Sequence, residues 1–243
     1  MLKSIHKLFL IFQNKLYINA LFSKHVAAGV EHSILFSTLC LKNFQTIVDV
    51  GANRGQFALV ARNYFPNAKI ISFEPLIEPA LIFKSLFQSD PHVSLHEYAL
   101  GPEQKEMIIH VSKADDSSSL LPITSLQSTL YKGTEEKELR KVKVKPLDGV
   151  LSISEIKRPA LLKMDIQGFE KQALQGCKNL LSSFSFIYVE SSFVELYLGQ
   201  TKAFEVIAFL TEYNFFLTGI YNISYDKKGI AIQGDFLFTN QVL

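Results

Sequence analysis

The sequence predicts a doubly wound α/β domain built on a mostly parallel sheet. Three observations indicate this class: apolar strands alternate with helical segments from residue 45 onward, several strands end in an acidic residue, and a glycine-containing turn follows the first strand. At 243 residues, 48% of them hydrophobic, the chain is long enough for one domain with a large core. We divide it into an N-terminal helical extension, residues 1–44, and the α/β domain, residues 45–243.

The N-terminal segment combines lysines with apolar residues at helical spacing, namely Leu2, Ile5, Phe9, Phe12 and Leu16. Its apolar run ends at residue 13, which is too short for a secretion signal or a membrane span, and we expect a cytoplasmic protein. The pattern favours a helix that packs on the domain or on a second subunit of a homodimer. A helix that rests on a membrane surface is the alternative.

Apolar runs bounded by turn residues define the elements of the domain in order. Strands are predicted at residues 46–50, 68–73, 93–96, 160–165, 186–189, 215–219 and 235–238. Helices are predicted at residues 57–64, 80–87, 169–175 and 203–213. Pro66 ends the first helix, and Pro79 can open the second because proline is tolerated in a first turn.

An insertion at residues 102–147 interrupts this alternation. Residues 107–111 and 142–145 have the pattern of an antiparallel β-ribbon, and a polar stretch that includes residues 115–119 lies between them. A long insertion in a compact domain is more often functional than idle. A lid or substrate-facing loop and a flexible loop both remain open.

The turn VDVGANRGQF, residues 48–57, and Glu74 form a pair typical of nucleoside sites: a backbone-only turn and a carboxylate for the ribose hydroxyls. The glycines Gly51 and Gly55 do not have the Gly-x-Gly-x-x-Gly spacing that a pyrophosphate requires. Asp49 would also repel a pyrophosphate, whereas it suits a cationic ligand. S-adenosylmethionine carries a sulfonium and an ammonium but no phosphate, so it is favoured over a nicotinamide cofactor.

Composition argues against other classes of function. The formal net charge is +2, and no basic stripe with interleaved aromatic residues is present, which disfavours nucleic-acid binding. Cys40 and Cys177 are far apart and are expected to be buried, reduced thiols, and no Cys/His cluster has zinc spacing. For His25 and His32, seven residues apart, we expect surface or packing roles.

Acidic residues stand at or just after several strand ends: Asp49, Glu74, Glu97, Asp165 and Glu190. Ligands of open α/β sheets bind outside the carboxyl ends of the strands. Like charges gathered there repel one another, and a cationic ligand or a metal relieves that repulsion. Asp165 and Glu190 are the two candidates for holding a metal cation. Their oxygen ligands would favour Mg²⁺.

Six stretches together resemble the FkbM-type S-adenosylmethionine-dependent methyltransferases: VDVGANRGQF (48–57), FEP (73–75), ALG (99–101), SSSL (117–120), LKMDIQGFE (162–170) and QGDFLF (233–238). The resemblance runs from Val26 to near the end of the chain, and the Lys-x-Asp-x-x-Gly-x-Glu block is its most specific part. It implies a Rossmann-like, seven-stranded class I methyltransferase sheet whose final strand inserts antiparallel. Glu97 departs from the pattern, since such proteins often have Asn there.

The resemblance also implies roles for individual residues. Asp49, Gly51, Asn53 and Gly55 would line the methionine end of the cofactor, Glu74 would accept from both ribose hydroxyls, and Glu97 would accept from the adenine amino group. Pro75 and Ala99 fall in the matching cofactor-binding stretches. Asp165 would lie nearest the sulfonium methyl and the acceptor.

The implied reaction is in-line transfer of the methyl group to a hydroxyl of a sugar, glycan or natural product. Asp165 or Glu190 is expected to serve as general base, or the two hold Mg²⁺. Lys163 is expected to pair with a strand-end acid, Glu170 to contact Lys163 or cap its helix, and Tyr197 to lie in the acceptor pocket or the core. An NAD-dependent oxidoreductase and a non-catalytic cofactor-binding module are the alternatives. The acceptor, a small molecule or a glycan, is not specified by any motif.

Overall fold

The computed structural model describes residues 2–242, and side chains from residue 6 onward. Its centre is a seven-stranded sheet in the order β3-β2-β1-β7-β8-β10-β9. The ten strands within residues 2–242 are β1 Thr46–Val50, β2 Lys69–Phe73, β3 Val93–His96, β4 Ala99–Leu100, β5 Lys105–Ser112, β6 Glu136–Lys145, β7 Ala160–Met164, β8 Phe186–Ser192, β9 Phe215–Tyr225 and β10 Ala231–Asn240.

Eight α-helices accompany these strands in the described part of the chain. They are α1 Leu2–Phe12, α2 Lys15–Lys24, α3 Ser33–Leu39, α4 Gln56–Tyr64, α5 Ile77–Leu86, α6 Ser125–Leu130, α7 Glu170–Gln175 and α8 Ala203–Glu212. None of the helices within residues 2–242 is long and apolar enough to cross a membrane.

The order of the strands determines which edge of the sheet can bind a ligand. β1 pairs in parallel with both β2 and β7, so the chain order reverses on either side of β1. The ends of these three strands bring Gly51, Glu74 and Asp165 to one edge of the sheet. β10 pairs antiparallel with both β8 and β9, which confirms the predicted antiparallel final strand.

Side-chain alternation along the strands divides the core between the two faces of the sheet. Val48 and Leu162 belong to one cluster, which also contains α7 and α8. Ile47 and Leu161 belong to the other, together with α4 and residues of the N-terminal helices. The N-terminal extension is therefore packed into the main core.

The predicted N-terminal stripe is wrong in detail. The segment forms two helices, because Asn14 caps α2 by accepting a hydrogen bond at its side chain from the Leu16 amide (2.9 Å). Among the described side chains of α1, Ile11 is buried, whereas Phe9 and Phe12 are exposed. Leu2 and Ile5 have side chains outside the described residues.

The insertion forms a second small sheet. β5 and β6 pair antiparallel with Met107 opposite Val142, as predicted, and β4 adds to β6 in parallel. The sequence did not indicate β4 or α6. Cys177 is buried and Cys40 is exposed, and both are free thiols, so burial of Cys40 was wrongly predicted.

Candidate active site

A cavity of about 620 Å³ opens at the carboxyl edge of the sheet, above β1, β2 and β7. Three parts of the chain line it. The sheet edge contributes residues 50–53, 73–76, 163 and 165–167, the insertion contributes Ile109 and residues 115, 116 and 118–120, and the N-terminal extension contributes residues 7, 8, 11, 27–29, 31 and 32.

The glycine turn is shaped by its own neighbours. Gly51 has φ +77°, and a Cβ there would lie 1.9 Å from the carbonyl oxygen of Asp165. Gly55 has φ +91°, and its Cβ would lie 2.8 Å from Phe87. Gly51 lines the cavity, but Gly55 does not, because its open side is filled by residues of α5 and the segment after it. The predicted contact of Gly55 with the cofactor is not provided by this geometry.

The backbone amides of this turn are already occupied. Those of Gly51 and Ala52 donate to the carbonyl of Phe73, and that of Gly55 donates to Ala52. The Asn53 amide donates to Glu74 Oε2 (2.9 Å), and the Arg54 amide donates to the side chain of Asn53 (2.8 Å). None of the amides from Gly51 to Gly55 is free to bind a pyrophosphate, which argues against the dinucleotide alternative.

Glu74 is buried at the end of β2 and lines the cavity. Oε1 accepts from the Leu76 amide (2.8 Å), and Oε2 accepts from the Asn53 amide. A carboxylate oxygen has two acceptor sites, so each keeps one for a ribose hydroxyl. Burial raises the pKa of Glu74 to about 7, although the two amide bonds act in the opposite direction.

Asp49 lies beneath the turn rather than in the cavity. Its carboxylate is fully buried, and Oδ1 lies 3.2 Å from Lys163 Nζ, which also donates to the carbonyl of Gly51 (3.1 Å). Burial lowers the pKa of Lys163, but the charges of Asp49 and Asp165 more than offset this and raise it. The predicted pairing of Lys163 with a strand-end acid is therefore present, and the pair supports Gly51 from below.

Asp165 lines the cavity, and Glu190 lies behind it. Gln167 joins the two, because its Nε2 donates to Asp165 Oδ1 (2.7 Å) and to Glu190 Oε2 (2.8 Å). Burial, followed by the charges of Asp165 and Asp235, raises the pKa of Glu190 well above its usual range. Because Asp165 lines the cavity and Glu190 does not, the geometry favours Asp165 over Glu190 as the base.

Between Asp165 and Glu190 the structure provides a donor where a metal would need acceptors. The amide nitrogen of Gln167 occupies the space that a bridging cation would take. Within residues 2–242 no group of three or more His, Cys, Asp or Glu side chains has the arrangement of a metal site. The residues therefore do not fit the expected Mg²⁺, and we derive no step through a metal.

Of three other predicted cofactor contacts, two face the cavity and one does not. Pro75 and Ala99 line the cavity, as expected of cofactor contacts. Glu97 does not line it, because its carboxylate turns outward and pairs with Lys84 Nζ (2.5 Å). The proposed bond from Glu97 to the adenine amino group is thus not supported. Glu170 caps its own helix region by accepting from the amides of Ile166 and Gly168.

His32 is a cavity residue that sequence reasoning missed. Its Nδ1 lies 3.2 Å from the hydroxyl of Tyr188, which donates its proton to Asp235 Oδ2 (2.8 Å). Tyr188 can then only accept from His32, so Nδ1 carries the ring hydrogen and Nε2 carries the lone pair. Burial, and next the charge of Lys163, lowers the pKa of His32 to about 3 and keeps the ring neutral.

No motif surrounds His32, and it reaches the cavity only because the N-terminal helices fold over the sheet. Asp235 in QGDFLF could have indicated a polar neighbour such as His32, since a buried acid within a strand requires polar partners. Burial raises the pKa of Asp235 to about 6 against the bonds from Asn222 and Tyr188.

The insertion covers the cavity and is held at several points. Ser119 donates to the carbonyl of Gln167 (2.7 Å), and Arg54 pairs with Asp115 (2.6 Å). The hydroxyl of the buried Tyr197 lies 2.7 Å from Gln167 Oε1 and 3.1 Å from the carbonyl of Ser117, and these two acceptors share its one proton. The segment is thus part of the cavity wall.

Comparison with known proteins agrees with this geometry. Residues 49–217 match the methyltransferase FkbM domain. The chain belongs to the FkbM methyltransferase family. This FkbM methyltransferase is 25% identical over 203 residues to the 2-O-methyltransferase NoeI of Sinorhizobium fredii (strain NBRC 101917 / NGR234), a match that covers 81% of this chain and 80% of that protein.

Two further relatives of this FkbM methyltransferase are more distant or shorter in coverage. It is 29% identical over 146 residues to Methyltransferase 1 of Beauveria bassiana (strain ARSEF 2860), covering 54% of this chain and 57% of that protein. A crystal structure of a candidate O-methyltransferase from Klebsiella pneumoniae shares 12% identity at a TM-score of 0.54, covering 97% and 96% of the two chains. That likeness shows the fold.

Family and geometry together confirm an S-adenosylmethionine-dependent methyltransferase with a class I sheet. The site fits the cofactor on its own chemistry: Glu74 has acceptor capacity for two ribose hydroxyls, and Asp165 offers a carboxylate to a cationic sulfonium. His32 lies on the N-terminal side of the same cavity.

Proposed function

We propose that this FkbM methyltransferase transfers the methyl group of S-adenosylmethionine to a hydroxyl of a saccharide or of another polyhydroxylated small molecule. The observation that carries the proposal is one cavity that joins Gly51, Glu74 and Asp165, the residues suited to the donor, to His32 and the insertion. The similarity to NoeI, a 2-O-methyltransferase, supports oxygen as the acceptor atom.

Asp165 and His32 are the two side chains that we propose for taking the hydroxyl proton. The bound cofactor supplies an activated methyl group. As the acceptor oxygen bonds to that carbon, the carbon–sulfur bond breaks, and the O–H becomes strongly acidic. A neutral imidazole is then an adequate base despite its low pKa, and Asp235 lies 3.8 Å from His32 Nδ1 to stabilise the resulting cation.

The donor group of Gln167 between the two carboxylates supports metal-independent transfer. We expect EDTA to leave methyl transfer unchanged and added Mg²⁺ to have no effect. A loss of activity in EDTA that Mg²⁺ restores would instead support the magnesium alternative.

Calorimetric titration tests the cofactor assignment directly. S-adenosylmethionine and S-adenosylhomocysteine should bind, and NAD should not. Glu74→Ala should weaken S-adenosylmethionine binding at least tenfold, whereas Glu97→Ala, the outward-facing acid, should leave it unchanged. Equal affinity of wild type and Glu74→Ala would show that the cofactor geometry is wrong.

The acceptor is identified by comparing glycans and small metabolites from a gene-deletion strain with those of its parent by mass spectrometry. We expect the deletion strain to accumulate a species lighter by one CH₂ unit, and the purified enzyme to convert it with labelled S-adenosylmethionine. A label recovered on nitrogen or carbon would contradict O-methylation. Binding of the cofactor without any transfer would favour the non-catalytic module.

A further inference from the structure

The two N-terminal helices carry a continuous apolar surface. We define the N-terminal patch as the exposed side chains of Leu8, Phe9, Phe12, Leu16 and Phe22. Phe9, Phe12 and Phe22 are 59%, 53% and 66% exposed. The rings of Phe12 and Phe22 lie 6.3 Å apart, and residues three or four apart on a helix are neighbours, which joins Leu8 and Phe9 to Phe12. An exposed cluster of this kind usually marks an interaction surface.

The N-terminal patch borders the entrance to the active-site cavity. Leu8 belongs to both, since it is about half exposed and also lines the cavity. Its neighbours Lys7 and Ile11 line the cavity as well. Whatever covers the patch therefore lies next to the acceptor side of the site.

Charge selects the kind of partner. Residues 1–30 contain four lysines and no Asp or Glu, although the net charge of the whole chain is only +2. The rest of the chain is thus net negative, and the two helices that carry the patch are net positive in sequence, with Lys7 paired to Glu31 (3.1 Å). Basic residues beside exposed aromatic and leucine side chains are the composition of helices that lie in the interface of an anionic membrane. A second copy fits less well, because a two-fold interface would bring two identical positive surfaces together.

We propose that the N-terminal patch docks on an anionic membrane surface and directs the cavity entrance toward it. Leu8, Phe9 and Phe12 enter the acyl boundary while the lysines contact anionic headgroups. Resting on the proposed function, the acceptor is then a hydroxyl on the saccharide head of a lipid-anchored molecule, presented at that surface.

Vesicle flotation of the full chain tests the docking. The protein should bind vesicles of phosphatidylcholine with phosphatidylglycerol, bind phosphatidylcholine alone much more weakly, and be released by high salt because exposed charges are screened. Phe22→Ser combined with Phe9→Ser should reduce binding at least tenfold. Phe204→Ser is a matched control, since Phe204 on α8 is 67% exposed and lies outside the patch.

Absence of binding to phosphatidylglycerol vesicles, or unchanged binding by the double variant, overturns the docking. A concentration-dependent dimer in sedimentation that the double variant abolishes would assign the patch to a second copy instead. Circular dichroism and S-adenosylmethionine titration of each variant check the fold and the cofactor site. Because that titration needs no vesicles, failure of docking and failure of the proposed function are separate results.

The acceptor class is tested with labelled S-adenosylmethionine and a cell lysate from a deletion strain. Extraction with chloroform and methanol should recover the transferred label in the lipid-containing phase, and the Phe9→Ser, Phe22→Ser double variant should transfer less. Label confined to the aqueous phase overturns the lipid-anchored acceptor.

Discussion

At the scale of single residues, Glu74 makes cofactor binding depend on pH. Its pKa of about 7 lies above the ordinary 4.5, so the free enzyme holds a proton there that the ribose hydroxyls must displace. Because burial raises the pKa, ionisation of Glu74 lowers the folding stability. The stabilisation from the protonated carboxyl is fully present below pH 4.5 and is lost as the pH rises through about 7. Cofactor binding requires the ionised form of Glu74, so the affinity for S-adenosylmethionine increases as the pH rises.

We therefore expect S-adenosylmethionine to bind about tenfold more tightly at pH 8 than at pH 6, since the ionised fraction of a group with a pKa of about 7 rises about tenfold. Calorimetry in buffers of different ionisation enthalpy should show proton release at pH 6. Glu74→Gln is the control and should bind weakly with a flatter profile. The same pH dependence in this variant would assign the proton to another group.

Asp165 and His32 are separated as bases by substitution. His32→Ala should keep cofactor affinity within about threefold, whereas Asp165→Asn should weaken it because the carboxylate that faces the sulfonium is lost. At saturating S-adenosylmethionine, the variant that lacks the base should lose about 100-fold or more in turnover. Turnover is measured as label transferred to the acceptor fraction. Imidazole should partly restore His32→Ala if His32 is the base, because it fills the space left by the ring. Full turnover of both variants would show that neither Asp165 nor His32 serves as the base.

At the scale of elements, the insertion depends on Tyr197. Its hydroxyl joins Gln167 on the sheet edge to Ser117 in the insertion. We expect Tyr197→Phe to lower the free energy of unfolding by about 1 kcal/mol, the usual effect of losing a buried hydrogen bond. Hydrogen exchange should increase mainly in residues 113–134 and over the loop at Gln167.

Tyr213→Phe is the control for that variant, because the Tyr213 hydroxyl makes no hydrogen bond with another described residue. It should leave exchange in the insertion unchanged. Unchanged exchange in Tyr197→Phe as well would show that Ser119 and Asp115 hold the insertion without Tyr197.

At the scale of the whole molecule, the Asp49–Lys163 pair couples β1 to β7 at the centre of the sheet. Removal of one partner leaves a buried charge, so Lys163→Met should cost about 3 kcal/mol or more in unfolding free energy. Lys163→Met combined with Asp49→Leu should cost less than either change alone. Urea unfolding measures all three.

The surface pair Lys84–Glu97 is the control, and Lys84→Ala should cost about 0.5 kcal/mol or less. If Lys163→Met is equally mild, the buried pair does not hold the turn. In that case Gly51 is positioned by its backbone contacts with Phe73 and Asp165 alone.

The order of the elements could be predicted from local sequence. Seven strands of the main sheet, the β-ribbon of the insertion and the antiparallel last strand follow from apolar runs and turn residues, and each was found within a few residues of its predicted bounds except at the lengthened β8, β9 and β10. The glycine turn and Glu74 were also predictable, because a strand, the turn after it and an acid at a strand end are local features of the sequence. A parallel sheet then places such strand ends at one edge.

Tertiary structure alone decided which of the acids face the cavity. Asp49, Glu74, Asp165 and Glu190 look alike in sequence, yet Asp49 pairs with Lys163 below the turn and Glu190 lies behind Gln167. Glu97 points outward to Lys84. Likewise, His32 enters the site because the N-terminal helices pack on α4 and the sheet. Sequence determines which residues are adjacent along a strand, whereas burial and charge pairing between distant segments determine which of them meet the ligand.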